Sequence, residues 1–136
     1  RPAMLAIWAY VFHSWELLGL WAWLPAYLAA AMVYGGGLTT TAVSVGATIT
    51  AVSFLVSGAG NAAGGAFSDR LGRTAVILLM SVISLACSFL FGWLIGLPMW
   101  LLVLMAIVYN FTGFADSSIH STALSELVPP RLLGAA

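Results

Sequence analysis

Long apolar runs dominate the pattern of this chain, and only a few short polar or glycine-rich segments interrupt them. A membrane-spanning helix needs about 20 mostly apolar residues, and four stretches of the chain meet that requirement. The predicted helices cover residues 4–32, 41–67, 74–95 and 99–127. The pattern therefore predicts an all-α membrane protein with four transmembrane helices in one membrane domain, residues 1–136.

Glycine and proline mark the ends of the predicted helices. The breaks are Gly35-Gly36-Gly37, residues 68–73 around Gly72, Gly96-Leu97-Pro98 and Pro129-Pro130. These residues interrupt a helical hydrogen-bond ladder or cannot continue it. Consecutive helices are therefore predicted to cross the membrane in alternating directions.

The composition agrees with a lipid environment. Hydrophobic residues make up 62% of the chain and charged residues 6%, with a mean hydropathy of +1.09. Soluble domains carry about 25% charged residues, so the lipid bilayer is the expected partner of this surface. A formal net charge of zero argues against a nucleic-acid partner.

The arginines are distributed asymmetrically. Arg1 precedes the first predicted helix, Arg70 and Arg73 lie between the second and third, and Arg131 follows the fourth. If the helices alternate, all four arginines lie on one side, which the positive-inside rule makes cytoplasmic. We expect a multi-pass integral protein of a bacterial inner or plasma membrane.

The segment between the second and third predicted helices reads GAFSDRLGRT over residues 65–74. It resembles the signature loop of the major facilitator superfamily, G-x-x-x-D-R-x-G-R-[RK], although Thr74 replaces the last basic position. The matching residues are Gly65, Asp69, Arg70, Gly72 and Arg73. The resemblance implies a secondary transporter of twelve helices in two halves. It also implies that this loop acts as a cytoplasmic latch between the halves during alternating access; the alternative is that its arginines only set topology.

Each motif position also has a local physical interpretation. Gly65 would let the second helix approach a neighbour closely, and Gly72 would supply the positive φ of a tight turn. Asp69 would accept backbone N–H groups at a helix N-terminus. Arg70 and Arg73 would bind carboxylates or helix-terminal carbonyls.

Other segments favour the second half of such a transporter, with the fragment matching helices seven to ten. Tyr109 stands where the fourth helix of the first half usually has the arginine of R-x-x-x-G. The run His13-Ser14-Trp15-Glu16 is similar to helix seven of some bacterial members, and Ala115-Asp116-Ser117-Ser118 is similar to helix ten. The remaining helices of the same transporter are then the expected partners, and both ends of the chain are expected to be cut.

Four ionisable residues lie far from the predicted helix ends: His13, Glu16, Asp116 and His120. His13 and Glu16 are three residues apart, and Asp116 and His120 are four apart. Each pair therefore shares one face of its helix. At about 1.5 Å per residue, Glu16 and Asp116 lie roughly 16–18 Å from the predicted cytoplasmic helix ends. A charge at that depth costs about 2.5–3.5 kcal/mol.

Two interpretations of these residues remain open. Their side chains can line a cavity, with Glu16 or Asp116 exchanging a proton and the histidines sharing it or binding a solute of unknown identity. Alternatively they form hydrogen bonds that hold helices together. Asn110 and Thr112 are further candidates for the cavity, and we expect Glu126 to pair with Arg131 or a motif arginine.

Two other functions are compatible with parts of the sequence. A complete small four-helix dimeric multidrug-type exporter would also place a glutamate in its first helix, but would not need the signature loop. A non-transport structural subunit would not need buried carboxylates. No H-E-x-x-H zinc motif is present, so we expect no enzyme activity, metal or cofactor.

Overall fold

The computed structural model describes residues 2–128, which form five helices. They are α1 (Pro2–Tyr34), α2 (Thr39–Leu71), α3 (Arg73–Phe91), α4 (Met99–Ala115) and α5 (Ser117–Leu127). Four helical segments are long and apolar enough to cross a membrane, the fourth being Met99–Leu127, which contains α4 and α5. The prediction of a helical, multi-pass membrane protein is confirmed at this level. The proposed break at Pro129-Pro130 and the positions of Arg1 and Arg131 lie outside the described residues.

Two helix boundaries differ by four residues from those predicted, and the fourth predicted helix is divided at Asp116. The second helix was expected to end near Phe67, but α2 continues to Leu71 and only Gly72 separates it from α3. Residues 68–71 contain no helix breaker, and the Ser68 hydroxyl donates to the Gly65 carbonyl at 2.8 Å within the helix. The third helix ends at Phe91, four residues earlier than predicted, because the backbone turns at Gly92 and after it.

The buried face of α2 consists of small residues that recur every three or four positions. They are Ala42, Gly46, Thr50, Ser53, Ser57, Gly60, Gly64 and Ser68. Small residues let helix backbones approach closely, which is how helices associate where water supplies no driving force. A Cβ on Gly46 would lie 2.6 Å from the Pro25 carbonyl oxygen of α1, and one on Gly60 would lie 2.6 Å from that of Phe111 of α4.

The same geometry corrects one expectation about the motif. A Cβ on Gly65 would meet open space, whereas one on Gly64 would collide with the Ala115 carbonyl of α4. Successive residues of a helix point about 100° apart, so Gly65 lies off the packed face. The close approach of α2 therefore depends on Gly60 and Gly64.

Two apolar layers stabilise the bundle. The larger includes Leu24 and Leu28 of α1, Phe91 of α3, and Leu102 and Ala106 of α4. The smaller joins α3 to the region where α4 gives way to α5, through Val76, Met80, Ala115 and Ile119. Along α3, Ser84 lies between the two layers, and this is the level at which the polar site is found.

The connections lie at opposite ends of the bundle, as alternating helix directions require. At one end the α1–α2 turn meets the α3–α4 connection, where the Tyr34 ring lies against Gly96. At the other end Arg73 at the start of α3 pairs with Glu126 near the end of α5, with Nη2 and Oε1 2.7 Å apart. The expected pairing of Glu126 with a motif arginine is thus confirmed.

Candidate functional site

Glu16 is held between three helices at the middle of the bundle. The Ser84 hydroxyl of α3 donates to Glu16 Oε1 at 2.6 Å, and the Tyr109 hydroxyl of α4 donates to the same oxygen at 2.9 Å. The partners are 68 and 93 positions away in the chain. The carboxylate therefore joins α1, α3 and α4 through two hydroxyl groups.

An aromatic cavity opens beside this carboxylate. Its volume is about 280 Å³, and Glu16 supplies part of its wall. The aromatic residues lining it are Trp15, Trp23, Tyr27, Phe91 and Tyr109. The Tyr27 hydroxyl donates to the Phe91 carbonyl at 2.6 Å, which fixes one side of the wall. The cavity thus combines a mostly apolar surface with one acidic group.

The other three predicted site residues converge on a separate point between α1 and α5. His13 Nδ1 lies 3.5 Å from Asp116 Oδ1, and His120 Nε2 lies 3.9 Å from Asp116 Oδ2. The two imidazole rings stack with their centroids 5.2 Å apart. All three residues are buried, and Asp116 is only 2% exposed. This group, His13, Asp116 and His120, is called the His–Asp–His cluster below.

Asp116 also marks the only backbone interruption between α4 and α5. It has φ −90° and ψ −15°, and its side chain makes no capping hydrogen bond to α5. The His120 N–H still donates to the Asp116 carbonyl at 2.8 Å, so the break is local. The carboxylate therefore lies at the N-terminal end of α5, where the helix dipole is positive.

Asn110 and Thr112 do not join either group. Asn110 Nδ2 donates to Ser53 Oγ of α2 and to the Ala106 carbonyl, both at 3.0 Å. Thr112 Oγ1 donates to the Val108 carbonyl of its own helix at 2.9 Å. Asn110 thus links α4 to α2, and the structure places both residues in helix packing rather than in the cavity.

The signature-loop residues lie at the junction of α2 and α3. Gly72 has φ +86° and ψ +143°, so the predicted positive φ is confirmed; a side chain is strained in this region. Asp69 and Arg70 are exposed. Among residues 2–128, no side chain caps the start of α3, so Asp69 does not bind the N-terminus of that helix. A helix that continues to Leu71 carries Asp69 one turn before the junction.

Sequence reasoning missed the partners of Glu16. Ser81, Ser84 and Ser88 recur at intervals of three and four residues in an otherwise apolar helix, which places them on one face. That spacing was a usable signal for a polar face on α3. Tyr109 was considered only for the arginine it replaces, and nothing local to the sequence indicated that its hydroxyl reaches α1.

The structure thus brings the predicted site residues together in two places rather than one. Glu16 contacts α3 and α4 beside the aromatic cavity, and the other three residues form the His–Asp–His cluster. Comparison of the chain with models of known families, with curated proteins and with solved structures gives no match.

Proposed function

We propose that this chain is part of a secondary active transporter of the major facilitator type, which moves a small solute by alternating access. The observation that carries the proposal is Glu16, a carboxylate at mid-depth of a membrane bundle that borders a cavity. Ionisable groups inside membrane bundles are costly, and they mark solute and ion pathways by default. Sites near the membrane midplane are typical of such transporters.

The hydrogen bonds of Glu16 support a role in proton coupling. Ser84 and Tyr109 both donate to Oε1, which leaves Oε2 available for a proton or a polar group of the solute. A carboxylate can accept about four hydrogen bonds when ionised and can donate one when protonated. Loss or gain of one proton would therefore change what the cavity offers its solute.

The cavity walls indicate the shape of the solute. Aromatic side chains provide large flat apolar surfaces, and they favour ligands with an apolar or aromatic body. The volume of about 280 Å³ is near the lower end of ligand sites, which span about 300–1,000 Å³. In this proposal the remaining helices of the transporter complete the far wall.

The junction of α2 and α3 supports the latch part of the proposal. Arg73 binds Glu126 and so connects the start of α3 to the end of α5. Exposed Asp69 and Arg70 remain available to a second half of the transporter. In this proposal the end carrying Gly72 faces the cytoplasm, in agreement with the positive-inside rule.

Cysteine accessibility tests the proposal without knowledge of the solute. In a Cys87→Ser background, Glu16→Cys should react in native membranes with a membrane-impermeant thiol reagent, because the cavity admits water. Under alternating access it should react from either side of the membrane. Leu85→Cys is the matched control: Leu85 follows Ser84 but is 68% exposed on the outer surface of the bundle.

The two positions have opposite expected outcomes. Leu85→Cys should stay unreactive because a thiol in lipid does not form a thiolate. Absence of reaction at position 16 from both sides would rule out a water-accessible cavity. Reaction from one side only would contradict alternating access but would still be compatible with a binding site.

A further inference from the structure

The His–Asp–His cluster has a donor set that the proposed transport function does not use. One ligand atom from each of its three residues lies within 4.8 Å of the other two. Two come from imidazoles and one from a carboxylate, on helices that are distant in the sequence. We propose that His13, Asp116 and His120 bind a divalent transition-metal cation such as Zn²⁺ inside the membrane bundle.

The distances favour a shared cation over direct hydrogen bonds. An N–H···O hydrogen bond has a donor–acceptor distance of about 2.7–3.2 Å, whereas the two His–Asp distances are 3.5 and 3.9 Å. Zinc binds nitrogen and carboxylate oxygen at about 2.0–2.2 Å, which puts neighbouring ligands of a tetrahedron roughly 3.3–3.5 Å apart. The 3.5 Å distance already fits, and the others need only side-chain rotation.

An unpartnered carboxylate oxygen points to the same conclusion. Asp116 Oδ1, the oxygen 3.5 Å from His13 Nδ1, is buried and has no hydrogen-bond partner among residues 2–128. A buried polar atom without a partner costs about 1–3 kcal/mol. Asp116 is only 2% exposed, so bulk solvent does not reach this oxygen. A cation held between the three side chains would give Asp116 Oδ1 the partner it lacks.

The surroundings hold the two imidazoles in place. Tyr10 stacks on both, with centroid distances of 6.3 Å to His13 and 6.2 Å to His120. Side chains that orient ligands are a regular part of metal sites. Asp116 also lies at the C-terminal end of α4, and such half-helix C-terminal ends coordinate cations in membrane transporters.

Charge and ligand chemistry select the class of cation. Two neutral imidazoles favour first-row transition metals such as Zn²⁺ over Mg²⁺ or Ca²⁺, which prefer oxygen. The Asp116 carboxylate supplies one negative charge, and Glu16, one helical turn from His13, supplies a second when ionised. A divalent cation would therefore be neutralised locally, which its place inside a bilayer requires.

Metal binding by the purified protein tests this site independently of transport. The protein is purified in detergent through an affinity tag that contains no histidine. It is then titrated with Zn²⁺ in competition with a chromophoric chelator. One saturable Zn²⁺ per chain is expected. We expect each ligand variant to bind Zn²⁺ about 10-fold to 100-fold more weakly, or worse; the variants are His13→Gln, Asp116→Asn and His120→Gln. A loss of that size is typical when a residue that only orients a ligand is replaced.

Glu126→Gln is the matched carboxylate control, and it should bind Zn²⁺ like the wild type. Absence of one-equivalent binding, or wild-type affinity in all three ligand variants, would overturn the proposal. X-ray absorption at the zinc edge counts the imidazole ligands in the wild-type protein. This test therefore holds even if the ligand variants do not fold. The chain contains two histidines, so two imidazole ligands are expected and fewer than two would contradict the site.

Discussion

Glu16 shows how much a single residue of this bundle depends on distant partners. Its carboxylate accepts hydrogen bonds from Ser84 of α3 and from Tyr109 of α4, and Tyr109 belongs to the larger apolar layer. Polar contacts between membrane helices contribute about 0.6 kcal/mol on average and up to about 1.7 kcal/mol. The interaction is therefore large enough to measure, yet small enough that the fold should survive its loss.

A double-mutant cycle between Tyr109→Phe and Glu16→Ala should give a coupling energy of about 0.6–1.7 kcal/mol. The reason is that the Tyr109 hydroxyl has a bond to Glu16 that neither single variant retains. The measurement is the free energy of unfolding in detergent with increasing denaturing surfactant. Tyr27→Phe is the control, because the Tyr27 hydroxyl donates to the Phe91 carbonyl and not to Glu16. Its effect on the free energy of unfolding should add to that of Glu16→Ala. Additivity for Tyr109 as well would contradict the hydrogen bond.

At the scale of helices, the close contact of α2 with α4 depends on backbone rather than side chains. Gly64 lies directly against the Ala115 carbonyl, just before the break at Asp116. Neighbouring Gly65 faces open space. Replacing each of the two glycines with alanine therefore compares one substitution that causes a collision with one in the same helix that does not.

Gly64→Ala should destabilise the bundle by about 1–3 kcal/mol, the usual cost of overpacking. Gly65→Ala should be neutral or slightly stabilising, because alanine favours a helix more than glycine does. Melting temperatures of the two purified variants in the same detergent provide the measurement. Equal melting temperatures would show that α2 and α4 do not approach as closely as described.

Gly72 controls the connection between α2 and α3 through its backbone conformation. Its φ of +86° with ψ of +143° belongs to a region that only glycine occupies readily. We expect Gly72→Ala to cost about 1–3 kcal/mol of stability. Gly92→Ala should cost little, because Gly92 has φ −63° and a Cβ there meets nothing. Thermal unfolding compares the two; an unchanged midpoint in Gly72→Ala would exclude backbone strain at the junction.

The sequence predicted elements better than it predicted contacts. Apolar length alone indicates four membrane-length helices, because the thickness of the bilayer sets that length. The continuation of α2 to Leu71 was missed because the apolar pattern stops at Phe67, before the helix ends at Gly72. The break at Asp116 was missed because neither glycine nor proline marks it. The four candidate site residues were predicted from their ionisable side chains, which lie far from the predicted helix ends. Their division into two groups depends on which helices pack together, and no local pattern records that.

For the whole molecule, the arrangement of connections leads to a prediction about sidedness. The α1–α2 turn and the α3–α4 connection lie at one end, and Gly72 lies at the other. Positive residues near a junction favour the cytoplasmic side. The molecule should therefore present the Gly96 end to the outside.

In intact cells, Leu97→Cys should react with a membrane-impermeant maleimide, whereas Leu71→Cys should react only after the membrane is permeabilised. Both are made in a Cys87→Ser background, and both positions are exposed at opposite ends of the bundle. The readout is a gel shift of the labelled protein. Labelling of Leu71→Cys in intact cells would contradict this orientation and, with it, the proposed cytoplasmic latch.

The small-residue face of α2 restricts how this sequence can diverge. No buried residue of that helix is larger than threonine, so the positions at which α2 lies closest to its neighbours have no room for a larger side chain. Natural variants should exchange only glycine, alanine, serine and threonine along this strip. The lipid-facing side of the same helix should accept many different bulky apolar residues. An alignment of homologues would therefore show slow substitution on one face of α2 and fast substitution on the other.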